Sequence, residues 1–253
     1  MLRIRRIYDN VLPVNKSTLE QVQEILRSRF AAVPETEIAL IGEKLANPFK
    51  QRFRTVLFVA ESIKGKVRGF AILLHEPTLR FTFLDWIATA TDRAGAGIGG
   101  ALYDRIRQES TALKVQGLFF ECLPDDAKDC PAPTELKQNR ARLRFYERYG
   151  ARPIVNTDYE APVKPGDSCM PHLVYDDLGS GRPLRKAFAR QVVRAILERK
   201  YTDYCPADYV ARVVASFRDD PVRLREFRYV KPAAVIAVVE SRSAEQIALI
   251  VND

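Results

Sequence analysis

The glycine-rich stretch TDRAGAGIGGALYDRIRQES, residues 91–110, opens a segment with helical spacing. Glycines stand at positions 95, 97, 99 and 100, and apolar side chains then recur at Ile98, Leu102 and Ile106. A glycine run that leads into a helix lets the backbone approach a ligand closely, and the ligand most often found there is a phosphate group. The stretch therefore predicts a phosphate-binding loop followed by an amphipathic helix.

Two common phosphate-binding motifs fit this loop poorly. A P-loop ends in Gly-Lys-Ser/Thr, and residues 94–100 contain no lysine. A dinucleotide-binding fingerprint, G-x-G-x-x-G, follows the first strand of its fold. Here several predicted strands and two predicted helices precede Gly95, which is the wrong place for that motif.

Strand-like and helix-like segments alternate along residues 1–178, which predicts α/β architecture. We predict strands at 2–8, 54–62, 67–76, 79–90, 117–123, 151–163 and 172–177. We predict helices at 16–30, 35–47, from 98 and at 135–150. The spacing of Ser17 and Glu20 is that of a capping box, which would start the first helix, and Gly150 is placed to end the fourth.

The segment LDWIATATDRAGAGIGGAL, residues 84–102, resembles the strand, loop and helix that bind the pyrophosphate of acetyl-CoA in the GNAT superfamily of N-acetyltransferases. That family carries an R/Q-x-x-G-x-G/A loop. Aligning its G-x-G on Gly97–Gly99 places Ala94 where the arginine or glutamine usually stands, and Arg93 lies one position earlier. A second segment, 139–153, resembles another GNAT signature, with Asn139, Tyr146 and Gly150 at the family's spacing. The strand VRGFAILL, 67–74, resembles an earlier strand of the family.

The resemblance implies the GNAT acyl-CoA N-acyltransferase fold, an α/β fold whose central mixed sheet of six or seven strands is splayed in the middle and flanked by helices. The pantetheine arm of acetyl-CoA would lie in the gap between the strand that contains Asp85 and the strand that contains Glu121. The residues implied to bind acetyl-CoA are Ile87, Ala88, Thr89, Arg93, Ala94, Gly95, Ala96, Gly97, Ile98, Gly99, Gly100, Asn139 and Tyr146.

Acetyl transfer to an amine needs an acceptor for the amine proton and a donor for the leaving thiolate. Tyr146 stands at the family's general-acid position. A tyrosine on an amphipathic helix can also be a core residue. Asp85 aligns with an acidic residue that often serves as base in the family, and Glu121 is the alternative. Alternation predicts Asp85 on one strand face with Phe83 and Ile87, while Leu84, Trp86 and Ala88 occupy the other.

Two functions are compatible with these residues. The first is an N-acetyltransferase that moves the acetyl group of acetyl-CoA directly to a primary amine: a protein lysine, a polyamine or a small amine metabolite. No metal is expected. The alternative is a catalytically weak acyl-CoA-binding regulatory module, since Ala94 departs from the family pattern and the base is not settled.

The C-terminal part of the chain lies outside the GNAT resemblance. We predict a GNAT domain at 1–178, a basic helical appendage at 179–230 and a strand-like tail at 231–253. The formal net charge is +8, and residues 182–230 hold twelve Lys/Arg against six Asp/Glu. This basic segment contains no nucleic-acid recognition motif. The tail resembles the first strand of histone-deacetylase-like or acetylpolyamine-hydrolase-like domains, which suggests a further domain or partner at the C-terminus.

The four cysteines form no C-x-x-C pair, and the chain has two histidines. This pattern predicts neither a zinc site nor a disulfide framework, and it favours a reducing cytoplasm. No run of 18 apolar residues exists, so no membrane partner is expected, and the basic N-terminus lacks the apolar run of a signal peptide.

Overall fold

The computed structural model describes residues 2–30, 33–48, 50–91, 97–130 and 133–231. The chain divides into two compact units, 1–116 and 117–253. The described residues form seven strands that belong to one sheet, together with six helices. The predicted α/β fold with a six- or seven-stranded sheet is thus confirmed. The predicted splay involves one strand of each unit and stays a prediction.

The first unit contains four antiparallel strands in the order β1-β2-β3-β4. Its elements are β1 (Leu2–Ile7), α1 (Pro13–Arg29), α2 (Glu35–Ala46), β2 (Arg54–Ser62), β3 (Val67–Glu76), β4 (Phe81–Thr89) and α3 (Ile98–Ala112). Strands β2 and β3 have the predicted bounds, because β-branched and aromatic runs are bracketed there by clear turn residues.

The start of α1 differs from the prediction. The helix begins at Pro13, so Ser17 and Glu20 lie within it and form no capping box at its N-terminus. Proline suits the first helical position because it has no N–H to leave unsatisfied and its φ angle is already helical. Leu19, Val22 and Leu26 form an apolar stripe along α1 and are buried.

The second unit contains three antiparallel strands in the order β5-β7-β6. Its elements are β5 (Leu118–Cys122), α4 (Pro133–Glu147), β6 (Arg152–Pro153), β7 (His172–Asp176), α5 (Lys186–Arg199) and α6 (Ala207–Ser216). Gly150 follows α4 with φ +85°, as expected of a left-handed helix end. The strand predicted at 151–163 is only two residues long, and the positive φ of Asn156 turns the chain away soon after it.

The segment predicted to be a helical appendage contains two helices, α5 and α6, and each buries an apolar stripe. Leu184, Val192, Val193, Ile196, Tyr209, Val213 and Phe217 are all buried. Phe188 is half-exposed and packs edge-on against Phe119 of β5, with 6.1 Å between ring centroids. Residues 182–231 thus belong to the same compact unit as 117–178. The domain limits proposed from the sequence stay predictions, and the tail from residue 232 lies outside the described residues.

One arginine of α5 differs from its neighbours in environment. Arg185, Arg194 and Arg199 are exposed, whereas Arg190 is half-buried. Its Nε donates to the carbonyl of Phe217 at 3.0 Å, and its Nη2 donates to the carbonyl of Ala215 at 3.2 Å. A cation is stabilised at this place because the last carbonyls of α6 form the negative end of the helix.

The segment after α6 is attached to the second unit by backbone and side-chain bonds. The N–H of Arg225 donates to Pro153 O at 2.8 Å, and the N–H of Val155 donates to Arg223 O at 3.0 Å. The rest of the segment donates hydrogen bonds to two carboxylates of the unit that are almost fully buried, those of Asp125 and Glu147. Arg225 Nη1 and the Tyr229 hydroxyl donate to Asp125 at 2.8 and 2.5 Å.

The cysteine prediction was wrong in one respect, since Cys130 and Cys169 form a disulfide with 4.6 Å between Cα atoms. That distance lies in the usual range for a bridged pair. The bond joins the loop before α4 to the loop before β7. Glu135 lies beside the pair, whose sulfurs are engaged with each other. Cys122 and Cys205 are free thiols. Among the described residues, no helix combines the length and apolar character that crossing a membrane requires.

Candidate functional site

Asp85 is the extra residue of a β-bulge in β4. Trp86 pairs with Ile72 and Leu84 pairs with Leu73, so two consecutive positions of β3 face positions of β4 that are two apart. A bulge of this kind bends its strand and re-aims the side chains on either side of it. No glycine or proline marks the position in the sequence, so the pattern of residues did not reveal it.

The bulge overturns the predicted faces of β4. Because Leu73 and Ile72 project to opposite faces of the sheet, their partners Leu84 and Trp86 do so too. Trp86 packs against Phe30 at the end of α1, with 4.6 Å between ring centroids. The predicted grouping of Leu84 with Trp86, and hence of Phe83 with Ile87, was therefore wrong.

Ile87 projects to the face of the sheet that α3 covers. It pairs with Ala71, two residues along β3 from Gly69. A Cβ at Gly69 would lie 3.1 Å from Ile98 and 3.2 Å from Leu102, both on α3. Glycine is thus needed at position 69 for the close approach of this helix to the sheet.

The second half of β4 is accessible. Residues 81–84 are buried, whereas residues 85–90 are half-exposed, so the change falls at the bulge. Ile87, Ala88 and Thr89, the residues predicted to contact acetyl-CoA, lie in this accessible half. The carbonyl of Thr89 accepts a hydrogen bond from Arg29 Nε at 2.9 Å.

Gly97 forms the start of α3 in the left-handed conformation, with φ +73°. A Cβ at Gly97 or Gly99 would meet no atom of the described residues within 4 Å. No acidic residue stands in the first turn, and no described side chain caps it. The first N–H groups of a helix have no partner inside the helix, and they carry partial positive charge. This N-terminus, which includes Ile98, Gly99 and Gly100, therefore suits an anion such as a pyrophosphate.

The remaining predicted loop residues, Arg93, Ala94, Gly95 and Ala96, lie outside the described residues. Their assignment to acetyl-CoA binding stays a prediction.

In the second unit, Tyr146 on α4 is buried against β5. Its ring lies 4.3 Å from that of Phe120 and 5.0 Å from that of Phe145, centroid to centroid. Burial raises the pKa of the Tyr146 phenol well above its usual range. The hydroxyl is therefore protonated at neutral pH, as a proton donor must be. The packing also makes Tyr146 a core residue. The two interpretations from the sequence, a general acid and a core aromatic, are therefore both compatible with its environment.

Asn139 is almost fully buried on the same helix, and its side-chain amide donates to the carbonyl of Pro124 at 2.8 Å. It thereby holds the loop that follows β5. Its predicted contact with acetyl-CoA stays a prediction. Arg140, Arg142 and Arg144 on this helix and Arg148 directly after it are exposed.

Glu121 on β5 accepts hydrogen bonds from two tyrosines. The hydroxyl of Tyr159 donates to Oε1 at 2.7 Å, and that of Tyr201 donates to Oε2. Burial raises the pKa of Tyr159, and the negative charge of Glu121 raises it further. Neither tyrosine was predicted from the sequence. The one available signal was the run of tyrosines at positions 201, 204 and 209, in the link between α5 and α6 and in the first turn of α6.

His172 is at the start of β7, and it lies between two carboxylates. Its Nδ1 is 2.6 Å from Glu160 Oε1, and its Nε2 is 3.7 Å from Asp125 Oδ1. Burial favours the neutral imidazole, but the carboxylates outweigh it and raise the pKa of His172 to about 9. Burial lowers the pKa of His75, at the end of β3.

Comparison with known proteins places the fold. No family model matches the sequence, and no curated protein matches it. Solved structures do match. The aminoglycoside 6'-N-acetyltransferase in complex with coenzyme A has a TM-score of 0.54 and 17% identity, with 72% of this chain and 99% of that chain covered. A GNAT-family acetyltransferase structure from Desulfovibrio desulfuricans has a TM-score of 0.51 and 22% identity, covering 71% and 100%.

These likenesses show that the chain has the GNAT fold, as the two sequence signatures implied. They extend over nearly the full length of the related chains but leave more than a quarter of this chain without a counterpart in them.

Proposed function

We propose that this protein is an N-acetyltransferase that transfers the acetyl group of acetyl-CoA directly to a primary amine. The observation that carries the proposal is the N-terminus of α3, which opens at a left-handed glycine with no acidic residue in its first turn. Both features favour a bound anion. In a GNAT fold, the expected anion is the pyrophosphate of acetyl-CoA, and a structural relative was solved with coenzyme A.

The roles proposed for the first unit concern binding and proton removal. Backbone N–H groups of residues 97–100 would hold the pyrophosphate, and residues 93–96 would complete that loop. Ile87–Thr89 would contact the pantetheine arm through their backbone. Asp85 would accept the proton that the amine loses, directly or through water, because the bulge places it at the start of the accessible half of β4.

The chemistry requires one proton to leave the amine and one to reach the thiolate. The neutral amine attacks the thioester carbonyl carbon, a C–N bond forms, and the C–S bond then breaks with its electron pair on sulfur. Tyr146 would protonate that sulfur, because its phenol holds a proton at neutral pH. Acetyl-CoA supplies the acetyl group, so no metal is needed.

The direct test is release of free thiol from acetyl-CoA in the presence of a panel of primary amines. We expect amine-dependent thiol release and a matching mass increase of the acetylated amine. Gly97→Val should weaken acetyl-CoA binding by about tenfold or more, because a branched side chain would occupy the anion's place and strain the backbone. Gly65→Val is the matched control, since Gly65 has φ +74° and equally open surroundings among the described residues, in a turn between β2 and β3.

If Gly97→Val and Gly65→Val bind acetyl-CoA as tightly as the wild type, the assignment of the loop is wrong. The alternative function, an acyl-CoA-binding module that regulates without turnover, is favoured by Ala94 in place of the usual arginine or glutamine. It predicts tight acetyl-CoA binding with no thiol release for any amine. The cytoplasmic location stays a prediction, and the Cys130–Cys169 disulfide weighs against it, because disulfides are rare in reducing compartments.

A further inference from the structure

Three separate parts of the second unit converge on the carboxylate of Glu121. Glu121 belongs to β5, Tyr159 to the loop between β6 and β7, and Tyr201 to the link between α5 and α6. A fourth residue fixes this arrangement, because the Tyr209 hydroxyl donates to the carbonyl of Ala161 at 2.9 Å and so holds the loop that carries Tyr159. We call Glu121, Tyr159 and Tyr201 the tyrosine–glutamate cluster.

The two phenols fix the orientation of the Glu121 carboxylate. Each donates to a different carboxylate oxygen. Despite these bonds, Glu121 remains half-exposed, while Tyr159 is 5% exposed. The cluster therefore presents an oriented carboxylate. The Lys200 ammonium lies 4.7 Å from the centroid of the Tyr201 ring, so this side of the cluster already attracts a cation.

The cluster lies on the opposite face of β5 from Tyr146. The ring of Tyr146 packs on Phe120, and neighbouring residues of a strand project to opposite faces. Glu121 consequently shares its face with Phe119, which contacts Phe188 of α5. A direct transfer needs both substrates bound at once. Tyr146, the residue proposed to protonate the thiolate of CoA, lies on one face of β5, and the cluster lies on the other. A group that binds the acceptor should be separated from the CoA thiolate in this way.

From this arrangement we infer that the tyrosine–glutamate cluster binds an ammonium group of the acceptor, and that the acceptor is a small amine with a second, non-reacting cationic nitrogen. The reacting nitrogen must be neutral when it attacks, so a fixed carboxylate serves a second, charged nitrogen better than the reacting one. Glu121 touches the acceptor, and Tyr159 and Tyr201 are positioning residues that act through it. The inference rests on the proposed acetyl transfer.

The experiment compares 1,4-diaminobutane with n-butylamine as acceptors in the thiol-release assay on the full chain. We expect the wild type to prefer the diamine by about tenfold or more in kcat/KM, since hydrogen bonds to charged groups are among the stronger ones. Glu121→Gln should remove this preference by raising KM for the diamine while kcat stays within about twofold. Tyr201→Phe should raise the same KM by a smaller factor.

Tyr204→Phe is the matched control, because the Tyr204 hydroxyl is on the same α5–α6 link but donates to Asp167 at 2.7 Å. It should leave the diamine preference intact. A merely structural cluster predicts instead that Glu121→Gln and Tyr201→Phe lower the melting temperature without changing selectivity, which would overturn the inference. So would a wild type that favours butylamine or a lysine peptide over the diamine.

Calorimetry separates this inference from the proposed function. Binding of 1,4-diaminobutane that is lost in Glu121→Gln but kept in Tyr204→Phe supports the cluster as a cation site even if no thiol is released. If thiol is released with other amines while the wild type binds no diamine, acetyl transfer stands and the inference is wrong. Where Glu121→Gln does not fold, Tyr201→Phe carries the same comparison.

Discussion

Raising the pH from 6 to 9.5 should destabilise the second unit through His172. His172 is 8% exposed, and its imidazole is held between Glu160 and Asp125. Its pKa is about 9 in the folded protein, whereas an unfolded histidine titrates near ~6.5. The folded state therefore binds the proton more tightly than the unfolded state, and the bound proton stabilises the fold.

The direction follows from linkage between proton binding and folding. The stabilisation is complete below about pH 6.5 and declines as the pH rises through the folded pKa of about 9. A difference of about 2.5 pH units corresponds to about 3 kcal/mol. We take this as the upper limit, because the contact from Nε2 to Asp125 is 3.7 Å, longer than a hydrogen bond. The melting temperature should fall by up to about 10 °C over that interval.

The assay is urea unfolding followed by far-UV circular dichroism at pH 6, 7.5 and 9.5, for the wild type and for His172→Gln. Other groups titrate in both proteins, so the difference between the two curves isolates His172. Glu160→Gln should show a smaller pH dependence than the wild type. With two histidines in the chain, NMR titration of the ring nitrogens gives the pKa directly. A His172 pKa near 6.5, or parallel pH curves for wild type and His172→Gln, would refute the reasoning.

The other predictions concern catalysis and the construction of the second unit. Tyr146→Phe should lower kcat by about 10²–10⁴-fold with little change in melting temperature, because it removes one hydroxyl and keeps the ring packing; an unchanged kcat would assign thiolate protonation elsewhere. Cys130→Ser should cost about 4 kcal/mol of unfolding free energy, since the disulfide closes a loop with a sequence separation of 39, and added reductant should reproduce that loss in the wild type but not in the variant. Deleting 182–253 should abolish cooperative melting of the second unit; a truncated protein that melts like the full chain would show that the C-terminal contacts contribute nothing.

The sequence predicts elements well where local residues decide them. The bounds of β2 and β3 come from β-branched and aromatic runs between turn residues, and the start of α3 comes from its glycines. The bulge at Asp85 has no local signal, because it depends on how β4 pairs with β3. The two-residue length of β6 likewise depends on its partner, since residue 224 of the C-terminal segment forms a bridge to Ile154 directly after it.

The candidate site shows the same division. Gly97 could be identified from its spacing alone, and the structure gives it the positive φ that such a position requires. Tyr159 and Tyr201 could not, because they reach Glu121 from positions 38 and 80 residues away in the chain. No helical or strand periodicity relates residues at such separations, so only the folded chain brings the tyrosine–glutamate cluster together.

The basic surplus of residues 182–230 is explained in part by the interior of the second unit. Asp125 and Glu147 are almost fully buried, and a buried carboxylate needs a cation or several hydrogen-bond donors. Arg225 lies 2.8 Å from Asp125 and 3.7 Å from Glu147, and the N–H of Tyr229 donates to Glu147 at 2.7 Å. Because Arg225 neutralises charge within the unit and Arg190 binds carbonyls at the end of α6, neither attracts an external anion. The net charge counted from the sequence therefore overstates how strongly this segment attracts acidic or phosphorylated partners. A cationic acceptor at Glu121 is compatible with a basic protein.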